Sequence, residues 1–161
     1  MKAIGFNRPL PVSNPEALLD IELPEPELRP HDILVAVQAV SVNPADVKVR
    51  AVHTPAAGQY RVLGYDAAGI VQAVGSEVRQ FKVGDEVYYA GAIIRQGSNA
   101  QLQAVDARIA AKKPRSLDFA QAAALPLTAI TAWETLFDRL DVNKPVAGGA
   151  NALLLIGGAG G

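Results

Sequence analysis

Between Met1 and about Lys113, apolar residues come in short runs, each closed by Pro, Gly or Asp. Such punctuation favours a β-rich, barrel-like domain. Candidate strands are Lys2–Phe6, Leu18–Leu23, Ile33–Val42, Ala67–Val74, Glu86–Tyr89, Ala100–Val105 and Ile109–Ala111. The stretch from Ile33 to Val40 is nearly continuous in apolar character, as in a strand covered on both faces. Pro24, Pro26 and Pro30 hold the connection before it extended. Asn43-Pro44-Ala45-Asp46 then reads as a helix start, with Asn as cap, Pro in the first position and an acid in the first turn.

The texture changes after Pro114. Asp118 and Gln121 are spaced like a capping-box variant ahead of helix-forming Ala120–Leu125, and Pro126 should end or kink that helix. Ile130, Trp133, Phe137 and Leu140 then recur at helical spacing, predicting a second helix to about Leu140 with Trp133 in the core. Residues 143–149 read as a turn. Leu153–Ile156 follows as a buried parallel strand, and Gly157, Gly158, Gly160 and Gly161 as the turn after it. The expected fold class is mainly β, or α+β. A barrel domain over residues 1–117 is followed by a helical bridge over 118–150 and, over 151–161, the first strand of an α/β nucleotide-binding domain. Such a strand alone exposes unpaired backbone groups, so it should be disordered, covered by a neighbouring chain or paired with one.

The 161 residues are half hydrophobic, enough for a sizeable core, and fifteen Lys and Arg against sixteen Asp and Glu leave a formal charge of -1. That balance offers no electrostatic footprint for nucleic acid. The absence of cysteine excludes disulfides and thiolate metal sites and fits a reducing cytoplasm, the expected location. His31 and His53, the two imidazoles, sit in turn-like contexts that suit the surface. The start resembles no signal peptide, and the most apolar stretch, 146–161, is short and broken by glycine, so no membrane association is expected.

Gly158-Ala159-Gly160 supplies the G-x-G part of a dinucleotide fingerprint, where residues without a β-carbon let backbone N–H groups approach a pyrophosphate. Alone, it is also what an ordinary turn looks like. A longer signal precedes it. Leu63-Gly64-Tyr65-Asp66-Ala67-Ala68-Gly69-Ile70-Val71-Gln72-Ala73-Val74-Gly75, followed by Phe81-Lys82-Val83-Gly84-Asp85-Glu86-Val87, resembles the hallmark segment of the medium-chain dehydrogenase/reductase superfamily. In the same order as in that superfamily come the stretches 41–46, 122–129, 131–134 and the terminal glycines. The resemblance covers essentially the whole chain and is closest to the zinc-free quinone oxidoreductase branch, which includes bacterial proteins labelled zinc-type alcohol dehydrogenase-like.

The resemblance implies a GroES-like catalytic domain, a Rossmann domain, a homodimer paired through the latter, and NADPH-dependent reduction of a small quinone or activated alkene. NADPH is implied only by the family, because ribose-recognising residues lie about 20 residues past the glycine turn. Zinc alcohol dehydrogenases carry Cys, His and Cys where this chain resembles them at Asn43, Tyr65 and Leu127. Leucine has no donor atom, and amide and phenol are poor zinc ligands, so no catalytic metal is expected. Without a Lewis acid, the substrate must be electrophilic itself, as quinones and enones are.

Asn43 and Tyr65 are the candidate catalytic and substrate-binding residues, with Lys48 as a further substrate contact. Asn43 reads equally as a helix cap, Tyr65 as an aromatic at the cleft wall, and Lys48 as a solvated helix-face lysine. Asp66 takes the place of a family glutamate and reads as a structural partner or a general base. Thr131, Gly158, Gly160 and Gly161 are the cofactor-side candidates; Thr131 reads alternatively as a hydroxyl bonded back to its own turn. The resulting expectation is the N-terminal portion of a zinc-independent reductase, inactive alone. A zinc-dependent alcohol dehydrogenase and a non-catalytic GroES-like module are the rival readings.

Overall fold

A computed structural model of the chain describes residues 1–144 and 152–158. Its residues fall into two compact units, Met1–Leu127 and Thr128–Gly161. The first unit is built from strands β1 (Lys2–Phe6), β2 (Leu19–Glu22), β3 (Asp32–Ser41), β4 (Arg61–Val62), β5 (Asp66–Val74), β6 (Glu86–Ala90), β7 (Leu102–Asp106) and β8 (Ala110–Lys112). Helices α1 (Pro44–Val52) and α2 (Phe119–Ala123) complete it, and α3 (Pro126–Trp133) starts at its end.

All pairing is antiparallel. One sheet runs β2-β1-β4 and the other β7-β3-β5-β6-β8. Residues ahead of β7 join the two, since Ile4 N donates to Asn99 O at 2.8 Å and Gln101 N to Lys2 O at 3.0 Å. The strands expected before Lys113 are thus present with small shifts at their ends, and β4, two residues long, is an addition.

Side chains alternating along the strands cover both faces of the larger sheet. Ile33, Val35, Ala67, Val71, Val87, Tyr89 and Val105 form the main core with Val78 and Phe81. Their neighbours Ala39, Ala68 and Tyr88 turn the other way, and α2 lays Ala122 and Ala123 against them. Small residues there let the helix approach closely. Gly69 of β5 serves the same economy of space, since a β-carbon on it would lie 2.3 Å from Ala36 O on the paired strand.

In the second unit, α3 continues through Glu134–Arg139 as a π-type turn, closed by Leu140 N donating to Thr135 O at 2.9 Å. The helix ends where periodicity predicts. Trp133, however, is 63% exposed rather than in the core, resting on Phe137 with ring centroids 4.5 Å apart. Helical spacing identified an apolar face without providing anything to cover it. Leu153–Ile156 likewise forms no strand in the structure and is exposed, lacking a hydrogen-bonded neighbour among the described residues. Among those residues, no helix is long and apolar enough to cross a membrane.

Candidate functional site

The site grows from the start of α1. Asn43 keeps extended backbone (φ -117°, ψ 156°), Pro44 opens the helix, and Asp46 occupies the first turn. Asp46 does more than complement the helix dipole. Its buried carboxylate accepts from Asn43 N through Oδ2 and from Gly64 N through Oδ1, both at 2.8 Å. The acid therefore ties α1 to the turn before β5.

That turn has little freedom. Gly64 sits at φ +107°, and a β-carbon there would meet Ser98 Oγ at 2.3 Å. The bare backbone lets residues 97–99 lie against it, with Gly97 N, Asn99 N and Ser98 N donating to Val62 O, Leu63 O and Gly64 O at 2.9–3.0 Å. The chain then delivers Tyr65 and Asp66 in sequence.

Asp66, fully buried at the head of β5, accepts from Asn43 Nδ2 at 3.0 Å through Oδ2 and from Leu127 N at 2.9 Å through Oδ1. Ser41 Oγ lies at 3.5 Å. One carboxylate thus gathers the end of β3, the start of α1 and the first turn of α3. Burial pushes its pKa above the usual 3.8, ahead of the opposing hydrogen bonds from Asn43, Leu127 and Ser41, with the Asp46 charge adding to the rise. Of the two readings of Asn43, the structure directs its amide nitrogen to Asp66 while its backbone opens the helix.

Tyr65 is buried, its carbonyl accepts from Gly91 N at 2.7 Å, and its hydroxyl has no hydrogen-bond partner among the described residues. Burial raises the phenol pKa above 10.0, with Arg61 opposing and Asp46 reinforcing, so the group is a neutral hydrogen-bond donor at neutral pH. Arg61, on β4, holds a second unpartnered buried atom, Nε. Sequence reading missed Arg61, which carries no motif, and took Asp46 for a helix-start acid. The signal for Asp46 was its spacing from Asn43, but its bond to Gly64, eighteen residues away, belongs to the fold.

Asn43 therefore bonds the Asp66 carboxylate, and Tyr65 immediately precedes that acid in the chain. Lys48 is exposed on α1 and makes no hydrogen bond or ion pair among the described residues. Thr131 and Gly158 are exposed residues of the second unit, while Gly160 and Gly161 lie outside the described residues, as does most of the expected 143–149 turn. His31 and His53 are at the surface, as their contexts predict: the first is 3.3 Å from Glu77, and the second meets the edge of Phe6. Among the described residues, no three His, Cys, Asp or Glu side chains are grouped to hold a metal ion.

The family model described as alcohol dehydrogenase GroES-like domain matches residues 29–115. A zinc-type alcohol dehydrogenase-like protein of Staphylococcus epidermidis is 41% identical over 162 residues, covering 100% of this chain and 48% of its own length. The chloroplastic NADPH-dependent alkenal/one oxidoreductase of Arabidopsis thaliana is 38% identical over 160 residues, covering 89% of this chain and 38% of its own. A crystal structure of a Rhizobium etli protein, described provisionally as a zinc-dependent alcohol dehydrogenase, superposes with a TM-score of 0.90 at 62% identity. That superposition covers 94% of this chain and 44% of the other. The chain spans about half the length of the curated relatives it matches first. By the family match, the hallmark segment inside it and these relatives, the chain belongs to the alcohol dehydrogenase GroES-like domain family of the medium-chain dehydrogenase/reductase superfamily.

Proposed function

We propose that the intact protein is an NADPH-dependent oxidoreductase that reduces quinones or α,β-unsaturated carbonyls without zinc, and that Asn43 and Tyr65 lie on its substrate side. The Asp66 carboxylate carries this reading. It takes hydrogen bonds from Asn43 Nδ2 and Leu127 N, residues at two of the three positions where the resemblance puts zinc ligands in metal-dependent relatives. A leucine side chain has no donor atom, and the Asn43 and Asp66 side chains are engaged with each other. The residues present do not fit a zinc ion.

Carbonyl polarisation then falls to hydrogen-bond donors, which suffices for a conjugated acceptor whose added charge spreads onto oxygen. When bound, NADPH supplies the hydride. Tyr65, kept neutral by burial, donates toward the substrate oxygen, and Asn43, held by Asp66, shapes the adjoining wall. Lys48 is the contact for an anionic substituent. Thr131, Gly158, Gly160 and Gly161 are assigned to the cofactor side. The name of the Arabidopsis relative, an NADPH-dependent alkenal/one oxidoreductase, supports this choice of donor and acceptor class.

The test is NADPH oxidation by the intact protein with 1,4-benzoquinone and cyclohex-2-enone, with and without excess EDTA. Turnover of at least one acceptor, unchanged by EDTA, is expected. Alcohol oxidation abolished by chelation would replace this reading with a zinc enzyme, and silence across a broad acceptor panel would reject the reductase altogether.

A further inference from the structure

Two buried donors in the first unit lack partners, Tyr65 Oη and Arg61 Nε. Buried polar atoms are nearly always paired, so two orphans four residues apart call for a common explanation. They share a neighbourhood: the Arg61 charge acts on the Tyr65 phenol and the phenol on Arg61, while the Asp46 charge also reaches Tyr65. The nearby carboxylates are already engaged, since Asp46 is bound by Asn43 N and Gly64 N, and Asp66 by Asn43 and Leu127. Neither donor has an acceptor among the described residues.

The cover over Arg61 is one short segment, Gly91–Gly97. Arg61 Nη2 donates to Ile93 O, Gln96 Nε2 donates to Tyr60 O at 2.8 Å, and Gln96 Oε1 accepts from Val62 N at 2.8 Å. Gly97 N donates to Val62 O at 3.0 Å. The strap is bounded by glycines, and Ile93 and Ile94 at its crest are 58% and 87% exposed. Beyond the crest, Arg95 anchors the strap by two hydrogen bonds to buried Asp32 at 2.6 and 2.9 Å, so what can open locally is the crest around Ile93 and Ile94, where apolar burial is small.

We propose that Arg61 Nε–H and Tyr65 O–H are the paired donors that receive the oxygen of a conjugated carbonyl substrate when the crest of the strap, Ala92–Ile94, lifts from Arg61. This rests on the reductase reading above. One oxygen has two lone pairs, enough for both donors, and a guanidinium beside it favours the negative charge that develops as hydride arrives at carbon. Arg61 thereby selects acceptors by the oxygen they present.

The site is tested in the intact protein carrying 15Nε-arginine and 13Cζ-tyrosine, titrated with cyclohex-2-enone in the absence of NADPH. The Arg61 and Tyr65 resonances, assigned from Arg61→Lys and Tyr65→Phe spectra, should move together and saturate at one concentration. In turnover, Arg61→Lys keeps the charge but removes Nε–H, and a loss of about 100-fold in kcat/KM is expected, as for loss of one oxyanion donor. The combined variant should lose less than the product of the two single losses, because both act on one oxygen. If neither resonance moves, the paired site is overturned whatever the turnover. If both move while no quinone or enone is reduced, the reductase reading fails and the two donors stand as a carbonyl-binding site.

Discussion

The two units of this chain place polar and apolar groups in opposite ways. In Met1–Leu127, the carboxylates of Asp32, Asp46 and Asp66 are buried, each accepting from named donors. In the second unit, Ile130, Trp133, Leu140 and Leu153–Ile156 are between 48% and 87% exposed. The contrast separates two jobs that hydrophobic pattern alone merges. In the first unit, apolar alternation builds the core and a few buried acids fix where loops and helices join it. In the second, the same kind of pattern marks a face without supplying its cover.

The strongest way to break this comparison is to disturb the polar interior of the first unit. Gly64→Ala puts a β-carbon at φ +107° and 2.3 Å from Ser98 Oγ, so strain and overlap coincide. A loss of more than about 3 kcal/mol is expected from chemical denaturation. A change below about 1 kcal/mol would mean that the 97–99 contact does not organise this turn.

Asp66→Asn tests the carboxylate more gently, because an amide returns one donor to a place that holds two. A cost of about 1–3 kcal/mol is expected, with a pH signature. The folded pKa of Asp66 lies above the unfolded 3.8 because of burial, so the folded state holds its proton more tightly. Its contribution is complete below pH 3.8 and is lost as pH rises through the folded value. The variant should therefore be most costly in acid and recover relative to wild type above that window. Asp32 supplies the opposite sign: burial raises its pKa, but the Arg95 hydrogen bonds at 2.6 and 2.9 Å and the Arg95 charge, with the Arg29 backbone bond and charge, together outweigh burial, so its contribution is present above pH 3.8 and lost on acidification. A gap between wild type and Asp66→Asn that does not vary with pH would remove Asp66 from the titrating set.

The smallest effect belongs to the second unit. Trp133→Ser removes a ring that touches Phe137 and otherwise largely faces water, so the 161-residue chain should lose under about 1.5 kcal/mol while binding less of a hydrophobic dye. A loss above 3 kcal/mol would show that this face is covered and that the contrast between the units is false.

Local chemistry made much of the fold legible. Proline and glycine spacing marked the strands, and Asn43-Pro44 and Asp118…Gln121 marked two helix starts, the latter a reciprocal capping box in the structure. What escaped depends on partners distant in sequence. Arg61–Val62 is too short to show alternation and is a strand only because Gly5 and Phe6 pair with it. Trp133 sits at proper helical spacing, yet burial is a property of two surfaces. The Asn43 side chain had two sound local readings, and its choice depended on Asp66, twenty-three residues later. Arg61 was invisible because an arginine among apolar neighbours carries no signal of its own.

The carboxylate-and-amide stitching around Asp66 also bears on how the protein ages. Its joints are Asp, Asn, Ser and backbone groups; the chain has no cysteine, and its single methionine is Met1. Peroxide attacks thiolates and thioethers first, so the joints of this site offer it no sulfur to oxidise.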